Sequence, residues 1–322
     1  MALLRQLIRL VPSTIKTELK RRVKVLATPS GSEIVSRLYI PEITETSGGT
    51  EIPWKITPAG RRIAWNRPAV TQTFPESRFP IPPRHLTQGY AHDEREFLEM
   101  GRRTSETIRR IAAEQGIALG SGRTLEWGCA SGRVLRHFAD EAHHADFWGI
   151  DVDGPHINWA KRNLSPPFRF VTCTSYPHLP FEDNSFDFVF GISIFSHIVH
   201  LVDMWLMEFR RILAPGGRAL FTVHDENTWE YFGKDGRETN PWVPNEQFSG
   251  GLKDDVVVLC DANAPFWGST FTFFRTEWIA EEWGKYLDVI AIEPFAEWYQ
   301  TAVVLRKPAR FNPQGQPLPK DR

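Results

Sequence analysis

The sequence predicts an α/β protein built on one open, mostly parallel sheet with helices on both faces and an antiparallel final strand. Three observations carry this. Short apolar runs near residues 123 to 128, 146 to 151, 168 to 173, 186 to 193 and 218 to 224 alternate with segments of helical spacing, the pattern of a parallel sheet between helical layers. The first run passes straight into the small-residue turn Gly128-Cys129-Ala130-Ser131-Gly132, after which Val134, Leu135 and Phe138 recur at helical spacing. Near the end, Val289-Ile-Ala-Ile-Glu-Pro-Phe and Trp298-Tyr-Gln-Thr-Ala-Val-Val-Leu stand too close for a parallel crossover, which needs roughly ten or more residues, so they must pair as a hairpin.

Residues 1–85 read as an N-terminal extension. Leu4, Leu7, Ile8, Val11, Ile15, Leu19 and Val23 keep near-helical spacing across 2–26, interrupted at Pro12, while Arg5, Arg9, Lys16, Lys20, Arg21, Arg22 and Lys24 face a single acid, Glu18. Such a basic amphipathic stretch either lies on an anionic membrane surface or docks on the main domain with a solvated charged face. From Thr28 to Pro83 proline, glycine and threonine dominate, with 44–50 as a link, a composition that wraps rather than folds alone. The main domain spans 86–307. Phe97, Met100, Ile108, Ile111 and Ala112 place a helix before the first strand, ending near Gly116. Val202, Trp205, Leu206, Phe209 and Leu213 mark the helix that stops at Pro215-Gly-Gly, and a further helix is expected over 276 to 286. An aromatic-rich insertion, 225–275, follows the fifth strand, and 308–322 is a tail.

A length of 322 residues is ample for a sizeable core, and a formal net charge of -1 gives no reason to expect a nucleic-acid partner. The cysteines Cys129, Cys173 and Cys260 are too scattered for a disulfide frame or a metal site, which suits a reducing compartment. Arg5 and Arg9 interrupt the first apolar run, no small-residue cleavage site follows, and no apolar run approaches about twenty residues, so the expectation is a cytoplasmic protein, with the inner face of a membrane as one place for its basic stretch.

Function is most legible at the turn. Gly128 and Gly132 lack side chains, so a ligand can approach backbone there, and about twenty residues on Phe147-Trp-Gly-Ile-Asp151 ends in an acid where nucleotide-binding βαβ units hold ribose hydroxyls. A nicotinamide reading is weakened, because the frame puts Arg133 where helix-to-sheet packing needs a small residue. The pattern Glu126-x-Gly128-x-Ala130-x-Gly132 resembles the acidic-x-G-x-G-x-G motif of class I S-adenosylmethionine-dependent methyltransferases, small-molecule branch. Leu179-Pro-Phe-Glu-Asp-Asn-Ser-Phe-Asp187-Phe-Val is similar to the segment leading into that family's fourth strand, and Phe209-Arg-Arg-Ile-Leu-Ala-Pro-Gly-Gly217 to its helix stop before the fifth. The resemblance runs from about Thr124 to Arg306 and implies a doubly wound, Rossmann-like sheet with S-adenosylmethionine as cofactor. It implies that Gly128, Ala130 and Gly132 approach the methionine part, that Glu126 orders that end and that Asp151 holds the ribose. Cys129, Val152, Ser175 and Ser193 complete the implied cofactor set, and Asp187 is structural. Two departures stand out: Ala130 replaces the middle glycine, and Ser175 stands where many relatives carry an aspartate contacting the adenine end.

Methyl transfer from a sulfonium depends chiefly on alignment, worth an effective molarity of about 10⁵ to 10⁸, against about 10² to 10⁴ for a positioned base. Where an oxygen accepts the methyl group a base still helps, and His197 and His224 both fall just past strand ends, with His224 slightly preferred. No metal is expected. The aromatic residues of the insertion, among them Trp229, Tyr231, Phe232, Trp242, Phe266, Trp267, Phe271, Phe273 and Phe274, serve either a flat apolar or sugar-bearing acceptor or a packed subdomain. Trp229-Glu-Tyr-Phe-Gly-Lys-Asp-Gly resembles segments of methyltransferases in surface-saccharide and glycolipid pathways, which implies a small-molecule acceptor of that kind. The alternative is a catalytically silent scaffold that uses its basic N-terminus to bind a membrane or partner. Oligomeric state is open.

Overall fold

The computed structural model describes residues 54–56, 63–65, 79–87, 91–198, 200–234, 248, 250–260 and 270–309. The basic stretch 2–26, the link 44–50, most of 28–83, residues Trp242, Phe266 and Trp267 of the insertion, and the tail from 310 lie outside the described residues. In chain order the strands are β1 (Trp54–Ile56), β2 (Ile63–Trp65), β3 (Arg123–Trp127), β4 (Asp146–Asp151), β5 (Arg169–Thr172), β6 (Phe186–Gly191), β7 (Leu213–Val223), β8 (Val256–Cys260), β9 (Thr270–Phe274), β10 (Asp288–Glu297) and β11 (Gln300–Arg306). The α-helices are α1 (Glu94–Glu114), α2 (Gly154–Leu164), α3 (Val202–Ile212), α4 (Glu226–Lys234) and α5 (Thr276–Glu282).

One sheet of seven strands, in the order β10-β11-β7-β6-β3-β4-β5, organises the domain; β3 to β7 pair in parallel, and β11 runs antiparallel to both β7 and β10. This is the Rossmann-like architecture the alternation predicts. Period-two alternation feeds two cores. Leu125, Trp127, Val189 and Phe221 face one side with Trp205 and Phe209 of α3, while Phe188, Phe190 and Leu220 face the other with Ile108 and Ile111 of α1. Asp93 starts α1 by accepting from the Glu96 amide at 2.7 Å, and Glu96 reaches back to the His92 amide at 2.6 Å. Asp153, not Asp151, caps α2. Asp187 accepts from the Arg123 amide at 2.8 Å at the opposite end of the sheet from the glycine turn, a structural role.

Three elements differ from their sequence pattern. The helix expected after Gly132 is only a 3₁₀ turn, Leu135–Phe138. Its amide pattern tightens from Arg136 to the Gly132 carbonyl at 3.3 Å to His137 on the Val134 carbonyl at 3.1 Å. The backbone here lies hard against α1, where a Cβ on Gly101 would sit 2.2 Å from the Arg133 carbonyl oxygen. β7 begins at Leu213 rather than 218, since Gly216 donates to the Lys307 carbonyl (2.9 Å) and Lys307 to that of Gly217 (2.8 Å), carrying the ladder through the Pro-Gly-Gly stop. The late helix is α5 followed by a 3₁₀ turn, Trp283–Lys285, which contains the helix-weakening Gly284.

The described part of the insertion is tied to the sheet, since the Phe274 amide donates to the His224 carbonyl at 2.9 Å. β8 and β9 pair antiparallel, and Trp229, Phe232, Phe248 and Phe273 make a separate aromatic cluster with α4. Segment 79–87 packs on the main domain and straddles the expected boundary at 85. Ser131 donates to the Leu86 carbonyl at 2.9 Å, Arg136 to that of Pro80 at 2.9 Å, and Phe79 meets Phe168 with ring centroids 5.7 Å apart. No described helix is long and apolar enough to cross a membrane.

Candidate active site

Parallel strands end at one edge, and chain direction brings Glu126 to Gly132, Asp151 with Val152, Ser175, Ser193 with His197, and His224 to it from β3, β4, β5, β6 and β7 in turn. The turn after β3 is built tightly. Gly128 and Cys129 both donate to the Ile150 carbonyl, at 2.8 and 3.1 Å, and Gly128 holds φ +79°, where a Cβ would lie 2.1 Å from Ile194 Cδ1. Ala130, at the position of the motif's middle glycine, takes φ 45°, a left-handed conformation that costs an alanine about 1–2 kcal/mol. What holds it is Asp151: one carboxylate oxygen accepts from the Ala130 amide at 2.8 Å and the other from the Asp153 amide at 2.9 Å. Asp151 is only 7% exposed, and burial raises its pKa against the pull of those amides.

Glu126 is 3% exposed, and its Oε2 has no hydrogen-bond partner among the described residues. Burial pushes its pKa up to about 8, opposed by the Arg133 charge and the Leu135 amide. A buried carboxyl with an orphaned oxygen is costly unless something donates to it. The amino group of a methionine moiety is a cationic donor of the right kind, so the residues present fit S-adenosylmethionine. Cys129 would contribute backbone only: its thiol points into the core, 2.7 Å from where a Cβ on Gly149 would lie, and burial holds its pKa well above the ordinary thiol value. Val152 is exposed and Ser175 half-buried at the rim of the edge.

The two histidines have different surroundings. His197 lies in the 3₁₀ turn Phe195–His197, where Nδ1 is 2.7 Å from the Thr270 carbonyl. That acceptor requires the hydrogen on Nδ1 and leaves Nε2 with the lone pair. Burial lowers its pKa, with the Thr270 bond acting the other way. His224 is 1% exposed, ringed by Phe232, Phe271, Phe273 and Tyr299, and burial drives its pKa well below the ordinary histidine value, aided by the His197 charge. Phe271 of β9 contacts both imidazoles, with ring centroids 5.7 Å from His197 and, stacked, 5.9 Å from His224.

Sequence patterns missed Gln300 and the pair Ser131–His156, which meets at 2.6 Å behind the turn. All act across long chain separations and carry no local signal. A cavity of about 540 Å³ between α5 and β10, lined by Ala280, Gly284, Ile290 and Arg306, opens at the opposite end of the sheet and takes no part in this edge. Among the described residues no cluster could hold a metal ion.

The family described as a methyltransferase domain matches residues 125–221. The chain is 29% identical to the fatty-acid O-methyltransferase of Mycolicibacterium smegmatis, over 41% of this chain and 48% of that protein. It is 26% identical to phthiotriol/phenolphthiotriol dimycocerosates methyltransferase 1 of Mycobacterium ulcerans, over 53% of this chain and 65% of that one. The matched part thus spans about half to two thirds of these relatives. The crystal structure of a Pyrococcus horikoshii OT3 protein shares the fold with a TM-score of 0.50 at 18% identity, over 67% of this chain and 94% of that one.

Proposed function

We propose, from the premise that residues 125–221 form a class I S-adenosylmethionine-dependent methyltransferase domain, that the protein methylates an apolar small molecule carrying one polar attachment point. The observation that carries this is the orphaned, buried Glu126 oxygen beside the Gly128 turn. Glu126 would take the amino group of the cofactor, the backbone of Gly128 to Gly132 would line its methionine end, and Asp151 would accept from the ribose hydroxyls. Val152, Ser175 and Ser193 border the remainder. The cofactor supplies an activated methyl group with a neutral leaving sulfide, so the protein's task is alignment. His197 is the better placed base for a hydroxyl or carboxyl acceptor, because its tautomer is fixed with Nε2 free to take a proton; His224 is enclosed and serves the packing of the insertion.

What covers the edge supports this acceptor class. Phe271, Phe232 and Tyr299 close over the strand ends, and Phe295 and Trp298 stand 50% and 60% exposed at the β10–β11 turn, an apolar approach. The relatives named above act on fatty acids and dimycocerosates, which supports a lipid; a glycolipid precursor belongs to the same class. Titration calorimetry with S-adenosylhomocysteine, followed by transfer of a labelled methyl group to fatty-acid, sterol and glycolipid panels, tests the reading. Absence of S-adenosylhomocysteine binding removes it, and binding without transfer to any apolar acceptor points to the silent scaffold.

A further inference from the structure

Gln300 opens β11, and the pairing of Thr301 with Val223 sets it beside the end of β7. Its side chain is enclosed, 5% exposed, and its amide spans two strand ends. Oε1 accepts from Ser193 Oγ at 3.0 Å, and Nε2 lies 2.8 Å from that hydroxyl and 3.4 Å from His224 Nε2. Ser193 is itself unusual. It holds φ +59°, donates its amide to Thr222 Oγ1 at 2.7 Å, and precedes Ile194, whose Cδ1 fills the space above Gly128. An amide nitrogen only donates, so a contact with His224 Nε2 makes that nitrogen the acceptor and puts the ring hydrogen on Nδ1, which is buried with no partner among the described residues.

We propose that Gln300 is a positioning residue that ties the cofactor turn to the packed rings of the insertion: through Ser193 it sets Ile194 over the cofactor turn, and through its amide nitrogen it holds His224, which packs among those rings, in the Nδ1–H form. The coupling to the cofactor rests on the methyltransferase reading; the tautomer does not. A bland packing role for Gln300 would need neither the left-handed serine nor the shared amide, and sequence spacing gives no hint of it, since Ser193 and His224 lie 107 and 76 residues away.

Two variants separate the possibilities. In Gln300→Leu both contacts are lost, so S-adenosylhomocysteine affinity should fall about tenfold by calorimetry and the His224 ring nitrogens should leave the Nδ1–H pattern in ¹⁵N NMR. In Gln300→Glu the carboxylate still accepts from Ser193, so affinity should stay within about twofold, yet it cannot donate, and His224 should switch to Nε2–H. A folded Gln300→Leu protein with unchanged affinity overturns the coupling. An unchanged His224 pattern in Gln300→Glu overturns the tautomer role, and this arm decides even if Gln300→Leu does not fold. Failure of the parent protein to bind S-adenosylhomocysteine would instead strike the methyltransferase reading, with the NMR arm still deciding the role of Gln300.

Discussion

Asp151 and Ala130 are joined by a 2.8 Å hydrogen bond from the alanine amide to the carboxylate, so the acid that ends β4 also props the middle of the turn that follows β3. The prop matters because Ala130 sits at φ 45°. Relief of left-handed strain, about 1–2 kcal/mol, exceeds the extra chain entropy of glycine, about 0.5–1 kcal/mol, so Ala130→Gly should stabilise the protein by up to about 1 kcal/mol in urea denaturation. Asp151→Ala should do the reverse and also weaken S-adenosylhomocysteine roughly tenfold or more, as expected for charge-assisted bonds. Unchanged affinity in a folded Asp151→Ala protein would remove the ribose assignment.

Glu126 gives stability a pH signature. Its native pKa of about 8 stands above the ordinary 4.5, so between those values the folded chain holds a proton that the unfolded chain has released. Stability contributed by this group is therefore complete below about pH 4.5, falls as pH rises, and levels off above about 8. Glu126→Gln should flatten that slope and be the more stable protein at pH 8, by a few kcal/mol at about 1.4 per pKa unit. Cofactor binding should show the opposite sense: because an amine needs the ionised carboxylate, S-adenosylhomocysteine should bind more tightly from pH 6 toward 8, and Glu126→Gln should lose this dependence together with roughly tenfold or more in affinity.

Gly128 leaves no room for a side chain. Gly128→Ala would combine positive φ with a 2.1 Å approach to Ile194, and should destabilise by about 1–3 kcal/mol. Trimming Ile194 to alanine in the same chain should recover the steric part and not the backbone part, so a double-mutant cycle with no coupling would show that Ile194 does not press on the turn.

The histidines make opposite predictions. His197→Gln should lower turnover by about 10² to 10⁴ with S-adenosylhomocysteine affinity nearly unchanged, the signature of a lost base. Since burial lowers the His197 pKa from 6.5, the fall of turnover on the acid side should lie below pH 6.5. His224→Phe keeps an aromatic ring against Phe271 and should retain most turnover. Turnover that collapses in His224→Phe and survives in His197→Gln would exchange the two roles.

Much of this was legible in the sequence because it is local. Five strand positions, the hairpin at the end and the apolar spacing of α1 follow from period and punctuation within windows of about a dozen residues. The errors arose where tertiary contact overrode pattern: α1 lies against the Arg133 carbonyl, and the spacing of Val134, Leu135 and Phe138 yields a 3₁₀ turn; Lys307 pairs across Pro215-Gly-Gly, and β7 starts early. Glu126, Gly128 and Asp151 could be named from motif spacing, whereas the surroundings that distinguish His197 from His224 carry no local signal. Burial and tautomer are set by Phe271 and Thr270, which the chain supplies some fifty to seventy residues later.

The register of β11 on β7 has a further consequence. Val304 opposite Leu220 closes a long excursion of chain, and the whole aromatic insertion lies inside it. The entropy of closing such an excursion grows only with the logarithm of its length, so doubling it costs about 0.6 kcal/mol. Descendants of this chain can therefore lengthen, shorten or rebuild the insertion at almost no thermodynamic disadvantage, while the strand ends that carry Glu126 and Asp151 stay as they are.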